Sequence, residues 1–131
     1  MIVLDASAVI EFLLNSAAGH RVAARIARGG ALHAPHLLDL EVASVLRRFA
    51  AGGYLTAERG AVALGALRGM PLQRHTHGIL SERIWELRVI LTAYDAVYVA
   101  LAEALGAPLL TLDRRLARAG GHQATVEVIM D

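Results

Sequence analysis

Met1-Ile2-Val3-Leu4-Asp5-Ala6-Ser7-Ala8-Val9-Ile10-Glu11-Phe12-Leu13-Leu14 decides the fold. Its first four residues form an unbroken apolar run, as a strand buried on both faces of a parallel sheet does. From Ala6 onward the apolar residues take up helical spacing, so Asp5 and Ser7 stand where a strand hands over to a helix N-terminus. In open α/β sheets that corner is where ligands bind. Asp5 taken alone also fits a plain helix cap.

Three further acids have settings of the same kind. Glu41 falls three residues after Leu38 and four before Val45, on an apolar stripe that includes Val42, Leu46 and Phe49. A carboxylate aimed at a core costs several kcal/mol unless a cation or several donors meet it. A salt bridge to an arginine is the alternative partner. Asp95 follows Thr92 by three residues, the spacing of a capping box, and Asp113 stands between Pro108-Leu109-Leu110-Thr111-Leu112 and Arg114-Arg115-Leu116-Ala117-Arg118. Each of these two could simply cap its helix. Read jointly, the four acids converge at one sheet edge. Carboxylates held together repel unless a cation intervenes, and hard oxygen ligands suit Mg²⁺ or Mn²⁺.

The order and spacing of these pieces resemble a PIN domain, and within that family the VapC ribonuclease toxins of bacterial toxin–antitoxin pairs. The carriers are Ile2-Val3-Leu4-Asp5-Ala6-Ser7-Ala8, the Glu41 helix, Tyr94-Asp95-Ala96-Val97-Tyr98-Val99-Ala100-Leu101-Ala102 and Leu110-Thr111-Leu112-Asp113-Arg114-Arg115-Leu116. The resemblance implies that Asp5, Glu41, Asp95 and Asp113 ligate divalent metal, Mg²⁺ with Mn²⁺ able to substitute, while Ser7 and Thr111 support them. It implies a three-layer α/β/α sandwich around a parallel five-stranded sheet of order 3-2-1-4-5. The activity implied is hydrolysis of RNA phosphodiesters by metal-activated water, leaving a 5′-phosphate and a 3′-hydroxyl, with inhibition of translation as the outcome. The implied partners are an RNA substrate, a second copy of the chain in a homodimer, and a cognate VapB-like antitoxin whose C-terminal segment crosses the active-site groove.

Length and composition agree. The 131 residues, 56% of them hydrophobic, fit a single domain over 1–131. The opening apolar run is broken by Asp5 and Glu11, and no uncharged segment is long enough to span a membrane, so a cytoplasmic protein is expected. With no cysteine, disulfides, thiol nucleophiles and cysteine-held zinc are excluded. All 13 basic residues other than histidine are arginine. The absence of lysine excludes a P-loop ATPase and Schiff-base chemistry. GC-rich codon usage accounts for it most simply.

A net charge of +1 is too small to attract nucleic acid by itself, so RNA must meet a local patch. Arg114, Arg115 and Arg118, directly after Asp113, are candidates for holding phosphates; an ordinary solvated helix face is the alternative, for them and for Arg47 and Arg48. The six histidines read as surface residues. Ile10, Phe12, Leu13 and Leu14 are more apolar residues than one face of a short helix needs, which suggests a partner surface unless neighbouring helices cover them.

Coarse patterning places strands at 32–34, 72–75, 109–111 and 126–129, and helices at about 56–68, 79–88 and 92–105. A phosphorylated receiver is excluded by the missing lysine, and a haloacid-dehalogenase-like phosphatase by Ser7 where a second aspartate is needed. A non-toxin PIN nuclease of RNA processing and a non-catalytic PIN-like binding module are the remaining alternatives.

Overall fold

A wholly parallel sheet forms the middle layer of the computed structural model, which describes residues 1–130. In chain order the elements are β1 (Ile2–Leu4), α1 (Ala6–Leu13), α2 (Ala17–Ile26), β2 (Leu32–Pro35), α3 (Leu37–Ala51), α4 (Ala57–Gly69), β3 (Leu72–His75), α5 (Ser81–Glu86), α6 (Ala93–Leu105), β4 (Leu109–Thr111), α7 (Arg114–Arg118) and β5 (Val126–Val128). The sheet order is β3-β2-β1-β4-β5, as expected. Parallel crossovers are right-handed. The steps from β1 to β2 to β3 therefore lay α1 to α4 on one face, and the opposite steps to β4 and β5 lay α5 to α7 on the other.

The central strands are covered on both sides: Val3, Leu4, Leu109 and Leu110 have no exposed surface. On one face lies α6, buried continuously from Ala96 to Ala102; its alanines let the helix backbone approach the sheet. On the other, α1 and α2 form a tight hairpin whose turn passes through Asn15 at φ 57°, a left-handed conformation that asparagine tolerates. Gly19 in α2 sits so close to α1 that a Cβ there would lie 2.0 Å from the Glu11 carbonyl oxygen. This packing buries Ile10 and Leu13 and half-buries Phe12 and Leu14, so neighbouring elements account for much of the apolar surface of α1.

Capping follows the sequence closely. The hydroxyls of Ser16, Thr56 and Thr92 each accept a backbone N–H from the first turn of α2, α4 and α6. Gly53, at φ 78°, turns the chain after α3.

Two expectations need correction. Residues 79–88 do not form one helix: 3₁₀ turns at Gly78–Leu80 and Leu87–Val89 flank the short α5. Leu80 and Leu87 anchor the segment in the core, whereas Ile79, Trp85 and Val89 face solvent at 87, 67 and 83% exposure. The apolar residues thus do not share one buried stripe. Nor are all the histidines on the surface. His33 in β2 is buried, and its Nδ1 lies 2.8 Å from His75 Nε2 in β3. Burial, followed by the charges of His75 and the N-terminal amine, lowers the His33 pKa.

Candidate active site

The site forms at the C-terminal ends of β1 and β4, the point where the strand order reverses. Val3 pairs with Leu109 and Leu4 with Leu110, and this register brings Asp5 alongside Thr111. Asp5 is only 7% exposed. Its Oδ1 accepts from the Ser7 hydroxyl at 2.6 Å and from the Ala8 N–H at 3.1 Å, so it does cap α1. Its Oδ2 accepts from the Thr111 hydroxyl. One side chain therefore fills the capping role and also stands at the centre of the acid cluster.

Ser7 and Thr111 fix more than Asp5. Their oxygens lie 3.3 Å apart; Ser7 Oγ accepts the Leu112 N–H and Thr111 Oγ1 accepts the Asp113 N–H, each at 2.9 Å. The two hydroxyls thus lock the turn after β4 onto the turn after β1. Burial raises the Asp5 pKa; the bonds from Ser7, Thr111 and Ala8 pull it down, and the charge of Asp113 pushes it up again.

Glu41 reaches the cluster from α3, where Leu38, Val42 and Leu46 seat the helix in the core. Its partner is not an arginine. The hydroxyl of buried Tyr98 in α6 donates to Glu41 Oε1 at 2.5 Å. Burial raises the Glu41 pKa, the Tyr98 bond lowers it, and the charges of Asp5 and Asp95 add to the rise.

At the start of α6 the Asp95 N–H donates to Thr92 Oγ1 at 3.2 Å. The capping box is only half made: among the described residues the Asp95 carboxylate accepts no hydrogen bond. Half-buried, it is available to a ligand. Asp113 caps α7 by accepting the Arg115 N–H at 2.9 Å, and the Arg115 guanidinium grips the same carboxylate, the closer contact being 2.7 Å. That grip lowers the Asp113 pKa. The charge of Asp95 also reaches Arg115.

The sequence-derived acids are coupled in pairs, Asp5 with Asp113 and Glu41, and Glu41 with Asp95, and do not form a closed cage. Among the described residues no three carboxylate or imidazole groups stand close enough to form a ready ligand set. Asp5 is held back by its hydroxyls, Glu41 is tied to Tyr98 and Asp113 is turned to Arg115. The donor set consists of carboxylates and hydroxyls, without thiol or imidazole, and its chemistry fits a hard divalent cation. Of the three arginines, Arg115 is committed to Asp113, while Arg114 and Arg118 are exposed and have no acidic partner among the described residues. Sequence reasoning overlooked Tyr98 as a site residue. It stands three positions after Asp95, on the same helix face, which was the available signal.

This fold and this acid cluster define the class: the PIN domain profile matches residues 2–122, and the chain belongs to the PIN-domain family. Within it the chain groups with the VapC ribonucleases. It is 46% identical over 129 residues to Ribonuclease VapC9 of Mycobacterium tuberculosis, covering 98% of both chains. It is 40% identical to Ribonuclease VapC12 of the same organism, covering 98% of this chain and 99% of that one. Among solved structures it superposes on VapBC2 from Rickettsia felis, bound to a DNA fragment from their promoter, with TM-score 0.73 and 14% identity over 98% of each chain.

Proposed function

We propose that this protein is a divalent-metal-dependent endoribonuclease acting as the toxin of a VapBC-type toxin–antitoxin pair and inhibiting translation, with the whole chain serving as one nuclease domain in the cytoplasm. The observation that carries this reading is Asp5: a buried carboxylate clasped by Ser7 and Thr111 and coupled to the charges of Asp113 and Glu41, with Asp95 in turn beside Glu41. A fold alone would not need such a cluster, because mutual repulsion of the acids opposes burial. The names of VapC9 and VapC12 support ribonuclease activity, and the VapBC2 complex supports an antitoxin partner. No described helix is long and apolar enough to cross a membrane.

Asp5, Asp95 and Asp113 are the residues that would hold Mg²⁺, for which Mn²⁺ can substitute. The ion would supply Lewis acidity, making water nucleophilic at neutral pH and offsetting charge that develops on the scissile phosphate. Glu41, bonded by Tyr98, would serve as a hydrogen-bond acceptor for water at the site. Ser7 and Thr111 hold the Asp5 carboxylate in one orientation. Arg114 and Arg118 offer guanidinium groups for flanking phosphates, with Arg115 joining them whenever Asp113 turns away. The chain acts as a homodimer, silenced by a VapB-like antitoxin.

Purified protein incubated with end-labelled structured and single-stranded RNAs, in Mg²⁺, Mn²⁺ or chelator, tests this. Metal-dependent cleavage that disappears in an Asp5→Asn protein prepared identically is the expected result. Equal cleavage by both proteins, or none by either, would reject the nuclease. Co-expression with the product of a short adjacent gene tests the antitoxin, which should co-purify and suppress cleavage.

A further inference from the structure

Two adjoining depressions, of about 460 and 570 Å³, run from the acid cluster across α1 and α3 to the start of α4. The first is lined by Ser7 and Glu41 and continues past Ser44, Arg48 and Phe49. The second begins at Phe49 and ends at Tyr54 and Arg59. Because both share Glu11 and Phe49, they form one trough with the acids at one end.

The composition of this trough departs from that of an ordinary surface. Tyr54 is 83% exposed and stands edge-on to Phe49, with ring centroids 6.1 Å apart. A large ring left in water without cover presents a face for stacking. Arg48 and Arg59 are exposed, and among the described residues neither forms a salt bridge. Arg115, by contrast, is taken up by Asp113. Uncommitted guanidinium groups interleaved with aromatic rings are what single-stranded nucleic acid binds, the arginines matching phosphates and the rings matching bases. Glu11, the acid where the depressions meet, accepts the Ser16 hydroxyl through Oε2 at 2.5 Å. Its other oxygen is left as an acceptor for the amino group of a base.

From this we propose that the trough is the track of a single-stranded RNA segment: Tyr54 stacks one base, Arg48 and Arg59 contact the phosphates on either side, and the strand leads into the acid cluster. The proposal rests on the ribonuclease reading and adds the path of the substrate. It also implies that the bases on this track are unpaired, since a base held in a duplex cannot offer its face to Tyr54.

The test measures RNA binding separately from cleavage. Asp5→Asn protein in chelator is titrated against a labelled unstructured RNA of about ten nucleotides, within the site sizes of single-strand grooves. In this background Tyr54→Ala should bind about five- to 150-fold more weakly, the range one stacked base supplies, and Tyr54→Phe should restore affinity. Arg48→Ala with Arg59→Ala should lower the slope of log affinity against log salt by about 1.4, or roughly 0.7 for each lost phosphate contact. The corresponding lysine substitutions should keep the slope. The arginine variants and Tyr54→Phe should melt at the parent value, while Tyr54→Ala also loses its ring contact with Phe49, so its affinity is read at a temperature where a melt shows it folded. Wild-type affinity in every variant, or no RNA binding by the parent, would overturn the track. So would unchanged RNA affinity combined with weaker capture of a co-expressed antitoxin, which would assign the trough to a protein. Failure of the nuclease reading would appear elsewhere, as cleavage insensitive to Asp5→Asn.

Discussion

The Tyr98 hydroxyl donates to Glu41 Oε1 at 2.5 Å, tying α6 to α3 across the mouth of the acid cluster. Asp95 lies three residues before Tyr98 on the same helix. A single turn of α6 thus contributes one acid to the site and orients another. Burial, then the bond to Glu41, raises the Tyr98 pKa above that of an ordinary phenol, which favours the protonated donor form.

Tyr98→Phe removes this donor and leaves a half-buried carboxylate without its partner. Hydrogen bonds to charged groups contribute about 1.5–3 kcal/mol, so the variant should lose unfolding free energy in that range and unfold at a lower denaturant concentration. Cleavage should fall through kcat, because the ring still fills its place while Glu41 loses its orientation. Denaturant melts and steady-state kinetics on one RNA check both parts; unchanged kcat would show that Glu41 needs no orientation.

Asp5 carries a pH signature. Its pKa in the folded state is raised above the ordinary 3.8, chiefly by burial. The native state therefore holds a proton more readily than the unfolded chain. The charged form costs stability above the raised value, and the cost disappears as pH falls through it toward 3.8. Asparagine keeps the helix cap without the charge. In chelator, Asp5→Asn should melt above wild type near neutral pH, and the gap should narrow on acidification. The lowered carboxylates Glu103, Glu127 and Asp113 lose stabilisation in acid in both proteins, so their effect largely cancels in the difference. A gap that widens on acidification would contradict the buried-charge account.

Metal should stabilise the fold by mass action. At a free Mn²⁺ concentration of about 100 times Kd, wild type should gain roughly 2.7 kcal/mol. Asp95→Asn should gain much less, because its carboxylate is the least engaged of the four and so the one most open to an ion. In chelator the same variant should melt slightly above wild type, since it relieves the charge pressing on Glu41. Calorimetric scans with and without Mn²⁺ check this, and equal shifts in the two proteins would remove Asp95 from the ligand set.

Gly19→Ala tests the α1–α2 hairpin. The added methyl would lie 2.0 Å from a backbone oxygen, not from a side chain that could rotate away. The helices must separate, so the loss should reach or exceed the roughly 1–3 kcal/mol usual for overpacking. Thermal melts read it directly. Because α1 begins at Asp5, metal-dependent stabilisation should weaken too.

The sequence exposed the centre of this architecture because β1 is wholly apolar and β4 nearly so, each followed closely by an aspartate that caps the next helix. Asp5, Thr56, Thr92 and Asp113 are local signals, legible without knowledge of the rest of the chain. What stayed hidden depends on partners distant in sequence. His33 lies between Leu32 and Ala34, and alternation would turn it outward; β2 is covered on both faces, so its partner is His75, brought in by β3. Residues 79–88 carry enough apolar side chains for a helix, but only the folded core selects Leu80 and Leu87 as anchors and leaves Trp85 outside, beneath the Arg88 guanidinium at 4.5 Å. The four acids were readable as a group, whereas Glu41 was open to pairing with arginine until Tyr98 was seen beside it.

Thr111 meets Asp5 only because β1 and β4 pair in one register. A slip of a single residue would turn Thr111 to the opposite face of the sheet and break the clasp. The two residues are 106 positions apart. A ribosome therefore makes the first acid of the site 106 residues before the hydroxyl that clasps it. Any product cut short before residue 111 lacks the hydroxyl that holds Asp5 and the aspartate that follows it. On the ribonuclease reading such a fragment should not cleave, so the order of synthesis withholds the clasp of Asp5 until Thr111 has been made.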